Sequence, residues 1–432
     1  MTLHDESMSR RPAPRWLPLD NAAKIYPAAR SKNWSNIFRL SATLTEPVDR
    51  AVLQSALDAT VGRFPSICAR LRRGFFWYYL EQVEQAPRIR EEYSYPLVKM
   101  YPWEVRRCAF RVIVYRDRIA LEFFHALTDG NGALIFLKTL LAEYLHRKYG
   151  IAVPAEQGVL DRTEPPSPGE LEDSFQKYAG PRSASRRADD AYRITGTLET
   201  GGFQHITCLE LPVDQVLRKA REYGVSLTAF LCAATMMAIQ DIQQIRVPNR
   251  RRQRPVKVLL PVDLRRLFPS TSVRNFVLFT TPQIDPRLGA YTFREICDAV
   301  RHHMGLEVQR KYMGAMIAAN VAGERILALR AAPLFLKNLV MKAVFHQVGE
   351  RKSSLSLSNL GAVTMPAAMT PYVKRLDFIL GVQATAPYNC GVITWGDTLY
   401  MNVIRNIREP ELEYHLCRVL KDLGLTPLVR SN

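Results

Sequence analysis

Leu121–Glu122–Phe123–Phe124–His125–Ala126–Leu127–Thr128–Asp129–Gly130 is the stretch on which the reading of this chain turns. Upstream, residues 109–115 and 119–124 predict two strands joined by a turn at Arg116–Asp117–Arg118. In the second, Ile119, Leu121 and Phe123 alternate on one face, as in a buried strand. Downstream, Leu134, Leu137, Leu141 and Leu145 carry helical spacing through residues 130–149. His125 therefore falls where a buried strand ends, and Asp129 where a helix begins. A histidine in that position suits a general base, because its ordinary pKa near ~6.5 lets it take and return a proton at neutral pH. The competing reading is structural: a core histidine followed by an aspartate that caps the helix.

The same ten residues resemble the HxxxDG motif of the superfamily of chloramphenicol acetyltransferase, condensation-domain and alcohol acetyltransferase enzymes, at every fixed position. Condensation domains of peptide synthetases carry two adjacent histidines; here Phe124 holds the first place. That departure argues against peptide-bond synthesis rather than against catalysis, since the alcohol acyltransferases need only the second. The resemblance implies an α/β (α+β) fold of two similar lobes, each a mixed sheet with packed helices, and an active site between them. Leu260–Pro261–Val262–Asp263–Leu264–Arg265–Arg266, followed by Asn275–Phe276, looks like the segment that supplies an arginine to the motif aspartate. The resemblance assigns that role to Arg265, with Arg266 as the fallback. A partly buried carboxylate is costly unless paired, so Asp129 would be architectural, with Gly130 beside it. Ser356–Leu357–Ser358–Asn359–Leu360–Gly361 is similar to a strand end that faces the catalytic histidine in wax ester synthases, without their proline. Ser356, Ser358 and Asn359 are thus candidates to donate to an oxyanion or to contact substrate, or else simply cap a turn.

At 432 residues the chain suggests two domains. The expected division is an N-terminal lobe over 1–180 and a C-terminal lobe over 190–432. A linker over 151–196 would join them, marked by five prolines, an acidic patch and then a basic one. Pro47–Val48–Asp49 and Pro212–Val213–Asp214 recur at corresponding strand-to-helix junctions, a hint that the halves repeat. Further strands are predicted at 36–45, 66–71, 75–80, 203–211, 256–264, 275–284, 354–358, 373–381, 391–394 and 399–403. Helices are predicted at 49–61, 212–223, 226–240, 291–304, 324–347 and 409–423. The aromatic run Phe75–Phe76–Trp77–Tyr78–Tyr79 is expected in the core or lining a tunnel.

The 59 Lys and Arg against 41 Asp and Glu leave a net charge of +18, which favours anionic partners such as coenzyme A phosphates or an acidic carrier protein. No nucleic-acid signature accompanies it. Seven cysteines without metal spacing read as reduced core residues, and no metal site is expected. No run approaches the ~18 apolar residues of a membrane span, and no signal core opens the chain, so a soluble cytoplasmic protein is expected. Residues 325–346 mix long apolar runs with cations; packing on the second lobe is the favoured reading, and an interfacial helix on anionic membrane the alternative. The expected function is acyl transfer to an alcohol from acyl-CoA, or from acyl-phosphopantetheine on a carrier. His125 would be the base, and no Ser or Cys elbow implies an acyl-enzyme. A carrier-dependent condensation enzyme and a non-catalytic binding module remain the alternatives.

Overall fold

The motif strand Arg118–Phe124 is built as its sequence demands, but both of its faces are covered. Leu121 and Phe123 enter an apolar core, while Glu122 on the opposite face is equally buried. Burial of that carboxylate is tolerated because Arg39 and Arg111 pair with it and Leu97 donates its backbone N–H. The computed structural model describes residues 16–29, 36–181, 189–325, 331–344, 352–383 and 386–432.

Around the motif strand runs a five-stranded sheet, in the order Val373–Leu380, Ile37–Leu44, Arg118–Phe124, Phe110–Tyr115, Arg90–Glu91. Phe38 faces Phe123 across its register, and Leu40 faces Leu121. The first strand of that list comes from the second half of the chain, which was expected to keep it. It runs antiparallel along Ile37–Leu44 with Leu40 opposite Phe378, so the sheets do not divide where the sequence suggests.

The second sheet is mixed and larger, running Val277–Thr280, Val256–Asp263, Leu355–Ala362, Tyr388–Trp395, Thr398–Arg405, His205–Pro212, Leu428–Ser431. Leu355–Ala362 is parallel to both neighbours; the other pairings are antiparallel. The single strand expected over 275–284 is two, Val277–Thr280 and Gln283–Ile284, both against Val256–Asp263. Pro282 between them has no N–H for the ladder. A small third sheet joins Trp16–Pro18, Tyr78–Gln82 and Ala69–Arg73.

The long apolar helix Leu227–Arg246, capped by Ser226, forms the centre of the second core. The repeated Pro–Val–Asp is not equivalent in the two halves. Asp49 caps its helix, accepting from Ala51 and Val52, whereas Pro212 holds the cap position in the second half and Asp214 pairs on the surface with Arg218. The expected linker is a packed segment over 151–181. Glu170 pairs with buried Arg63, and Phe175 stands edge-on to Phe276 at 5.3 Å. Its basic patch at 182, 186 and 187 lies outside the described residues. All seven cysteines are free thiols, five of them buried.

Two expectations fail at one place. Phe75 and Phe76 are exposed rather than in the core. The helix Leu334–Val344 packs on the helix Ile25–Ala29 instead of hiding its apolar face on the second lobe. Residues 326–330, 345 and 346 of that stretch lie outside the described residues. Among the described residues no single helix is long and apolar enough to cross a membrane.

Candidate active site

His125 follows the motif strand directly, and its N–H is tied to the Asn36 carbonyl at 2.9 Å. Its half-buried ring stacks on Tyr26 at 4.6 Å, 21° from parallel, with Phe38 on a tilted approach at 4.9 Å. Nδ1 meets Oδ1 of Asn275 at 3.1 Å. The other end of that amide fixes its orientation: Asn275 Nδ2 donates to the Asp20 carboxylate at 3.3 Å. Asn275 therefore accepts, Nδ1 carries the proton, and Nε2 presents its lone pair. Burial pushes the His125 pKa below its ordinary value, while its own carbonyl, Asp129, Asn275 and Asp20 pull the other way. The ring is thus neutral at pH 7, as a base must be.

Asp20 is fully buried, and burial raises its carboxyl pKa against the opposing charge of Arg274 at 3.7 Å. The Ala23 N–H donates to its other oxygen at 2.7 Å. Neither Asp20 nor Asn275 was singled out from sequence. In sequence Asn275 belongs only to the arginine segment, and nothing local distinguishes Asp20 in the loop after Trp16–Pro18.

Asp129 caps the helix Gly130–Tyr149, accepting from Gly132 N at 3.0 Å. Its second oxygen takes Arg265 Nη1 at 2.8 Å and Phe276 N at 2.9 Å. Those three donors turn the carboxylate along the helix start and the Arg265 turn. Arg265 also binds Asp263 at 2.9 Å and the Ser272 carbonyl at 2.8 Å. Burial lowers its pKa, but Asp129 and Asp263 outweigh that and keep it charged. Arg266 has no such part.

Gly130 is less constrained than its place in the motif suggests. A Cβ there meets the end of the Leu360 side chain at 2.7 Å, and the Phe378 ring only at ordinary contact distance, 3.6 Å. At Gly132 a Cβ would lie 2.1 Å from the Val273 carbonyl oxygen and 2.2 Å from Thr128 Oγ1. Thr128 Oγ1 itself donates to that carbonyl at 2.6 Å.

The three strand-end candidates separate. Asn359 lies on the face of its strand that carries Leu355 and Leu357 into the second core. Its amide donates to Thr228 at 3.0 Å and accepts from Gly361 N at 2.8 Å. Ser356 is buried, with its hydroxyl 3.5 Å from the Leu259 carbonyl. Ser358 shares the face of Leu360, whose side chain reaches Gly130, and its hydroxyl is half-buried. Of the three, Ser358 alone keeps an uncommitted side chain on the face toward the motif.

No family model matches the chain, and no curated protein resembles it in sequence. Solved structures do resemble it along nearly its whole length. A trichothecene 15-O-acetyltransferase from Fusarium sporotrichioides superposes with a TM-score of 0.60 at 11% identity, over 95% of each chain. The first condensation domain of the calcium-dependent antibiotic synthetase gives 0.59 at 15% identity over 96% of each. The wax ester synthase/diacylglycerol acyltransferase from Marinobacter aquaeolei gives 0.55 at 12%, over 94% of this chain and all of that one. The fold is the one these acyltransferase and condensation-domain structures share. Within this acyltransferase and condensation fold, His125 closes a strand of one sheet and Asn275 and Arg265 flank strands of the other.

Proposed function

We propose that the protein transfers an acyl group from a thioester to a hydroxyl acceptor, with His125 as general base and no acyl-enzyme. The observation that carries this is the fixed tautomer of His125. With Nδ1–H held on Asn275, only Nε2 is available to an incoming hydroxyl. The acceptor O–H gives its proton to Nε2 as the oxygen attacks the thioester carbonyl. Collapse of the tetrahedral intermediate forms the ester C–O bond and breaks the C–S bond, and the leaving thiolate takes the proton back from Nε2. Ser358 is the donor proposed for the oxyanion, worth about 10²–10³ in rate for such a group. The acyl donor is a co-substrate, coenzyme A or a phosphopantetheine arm, and either anion suits the +18 chain.

Phe124 in the place of the first histidine favours an ester-forming over a peptide-forming enzyme. The test is thiol release from a panel of acyl-CoAs and acylated carrier proteins, with alcohols and amines as acceptors. Acceptor-dependent release, lost in His125→Ala, supports the proposal. Release that survives that substitution, or none with any donor and acceptor, overturns it.

A further inference from the structure

The helix Leu334–Val344 is amphipathic in the wrong sense for a soluble surface. Leu334 and Lys337 point inward, and Phe335, Leu336, Leu339 and Val340 point out. Phe335 and Leu339 are 67% and 69% exposed. The helix start is bonded to an aromatic turn: Leu334 N donates to the Phe75 carbonyl at 3.0 Å, and Lys337 Nζ to that of Phe76 at 3.0 Å. Phe75, itself 73% exposed, and Phe76 stand edge-to-face at 4.9 Å beside it. Two elements far apart in sequence thus make one exposed apolar face, held by specific hydrogen bonds. A patch of that kind marks an interaction site.

Charge identifies what covers it. Residues 69–79 and 331–344, which build the face, hold Arg70, Arg72, Arg73, Lys337 and Lys342 and no carboxylate. Glu81 engages Arg70 and Arg72, and Lys337 is buried under Trp77; Arg73 and Lys342 are exposed. Exposed apolar side chains whose segments carry the exposed cations Arg73 and Lys342 and no carboxylate, on a chain of charge +18, complement an anionic bilayer surface. The site lies close behind. The helix Leu334–Val344 packs on Ile25–Ala29, and Tyr26 of that short helix stacks on His125.

We infer that the face formed by Phe75, Phe76 and the outer side of Leu334–Val344 seats the protein on anionic phospholipid membranes, next to the His125 site. Seated there, the short helix that carries Tyr26, and with it the His125 ring, lies beside the lipid, which favours long-chain or lipid substrates. The docking does not depend on the proposed chemistry, and its test reads binding alone.

The experiment is flotation of the full chain with phosphatidylcholine vesicles, with and without phosphatidylglycerol, at low and high salt. The expected result is flotation with the anionic vesicles, weakened by salt. Phe335→Ser and Leu339→Ser should each lower the partition coefficient about tenfold, as the loss of one inserted apolar side chain implies. Arg73→Glu with Lys342→Glu should abolish the preference for phosphatidylglycerol. These side chains are exposed, so an unchanged melting curve checks that each variant folds. No flotation at low salt, flotation unaltered by both sets of variants, or a dimer that Phe335→Ser dissociates without any vesicle binding, each overturns the inference.

Discussion

Asn275 Oδ1 lies 3.1 Å from His125 Nδ1, although one residue flanks a strand of the large sheet and the other ends a strand of the five-stranded sheet. The His125 ring, the proposed base, is therefore oriented by the other lobe. Its tautomer depends on how the lobes sit together, through an amide anchored on buried Asp20.

Asn275→Ala should leave acceptor KM near its original value and lower kcat by about tenfold to a hundredfold, because the ring loses the partner that fixes Nδ1–H. The same change removes a hydrogen bond that raises the His125 pKa, so the acid limb of the pH profile should move to lower pH. A fall in kcat with no movement of that limb would show a merely structural role. Asp20→Asn should produce a weaker version of the same pattern.

His125→Ala should cost ~10²–10⁴ or more in turnover, the usual loss for a general base. The variant should melt within a few degrees of the original, since the Asn36 contact is made by the backbone. Near-original turnover would remove His125 from the chemistry.

The pH dependence has a definite sign. Burial lowers the His125 pKa, so the neutral base persists below the ordinary value near ~6.5. Activity should be level above that pH and fall only on the acid side of it. The unfolded chain takes up this proton first, so stability is also lost as pH drops through that window. An acid limb centred above the ordinary histidine value in kcat/KM would contradict the assignment.

Asp129→Ala should destabilise by roughly 3–5 kcal/mol, because buried Arg265 loses its main counter-charge. Asp129→Asn keeps one acceptor oxygen, enough for the N–H of Gly132 or of Phe276 but not both, and should lose somewhat less than Ala. Denaturant titration of the two single variants and of each combined with Arg265→Met measures the coupling. Additive losses would mean that the pair is not energetically linked.

Gly132→Ala should be more damaging to the fold than Gly130→Ala. Its methyl meets a backbone carbonyl that cannot give way, whereas the one close contact of a methyl at Gly130 is the flexible tip of Leu360. Overpacking of that kind costs about 1–3 kcal/mol or more. Equal melting temperatures for the two variants would disprove the ranking.

The motif and its helix were readable because every residue that matters lies within one short stretch, and the period changes from strand to helix at His125. The Arg265 pairing was readable only through resemblance. Asn275 and Asp20 were not readable as a pair: they stand 255 residues apart, and neither carries a local pattern that points to a histidine. Alternation shows that 373–380 is a strand but not which sheet receives it, since pairing depends on the free edge of Ile37–Leu44. The apolar run at 334–344 reads as buried because composition cannot distinguish a helix that hides its leucines from one that presents them. Sequence does not say which strand face Asn359 takes, since a one-residue shift moves a side chain to the opposite side.

The strand Val373–Leu380 makes the two halves of this chain non-interchangeable. It supplies one edge of the sheet that carries His125, and the Arg375 guanidinium within it reaches Glu210 on the other sheet. A fragment ending at residue 181 exposes the hydrogen-bonding edge of Ile37–Leu44, an invitation to aggregate. Grafting a foreign second half after that point would also exchange a strand of the sheet that carries His125. A chimera that keeps the first lobe intact must carry residues 373–380 along with it.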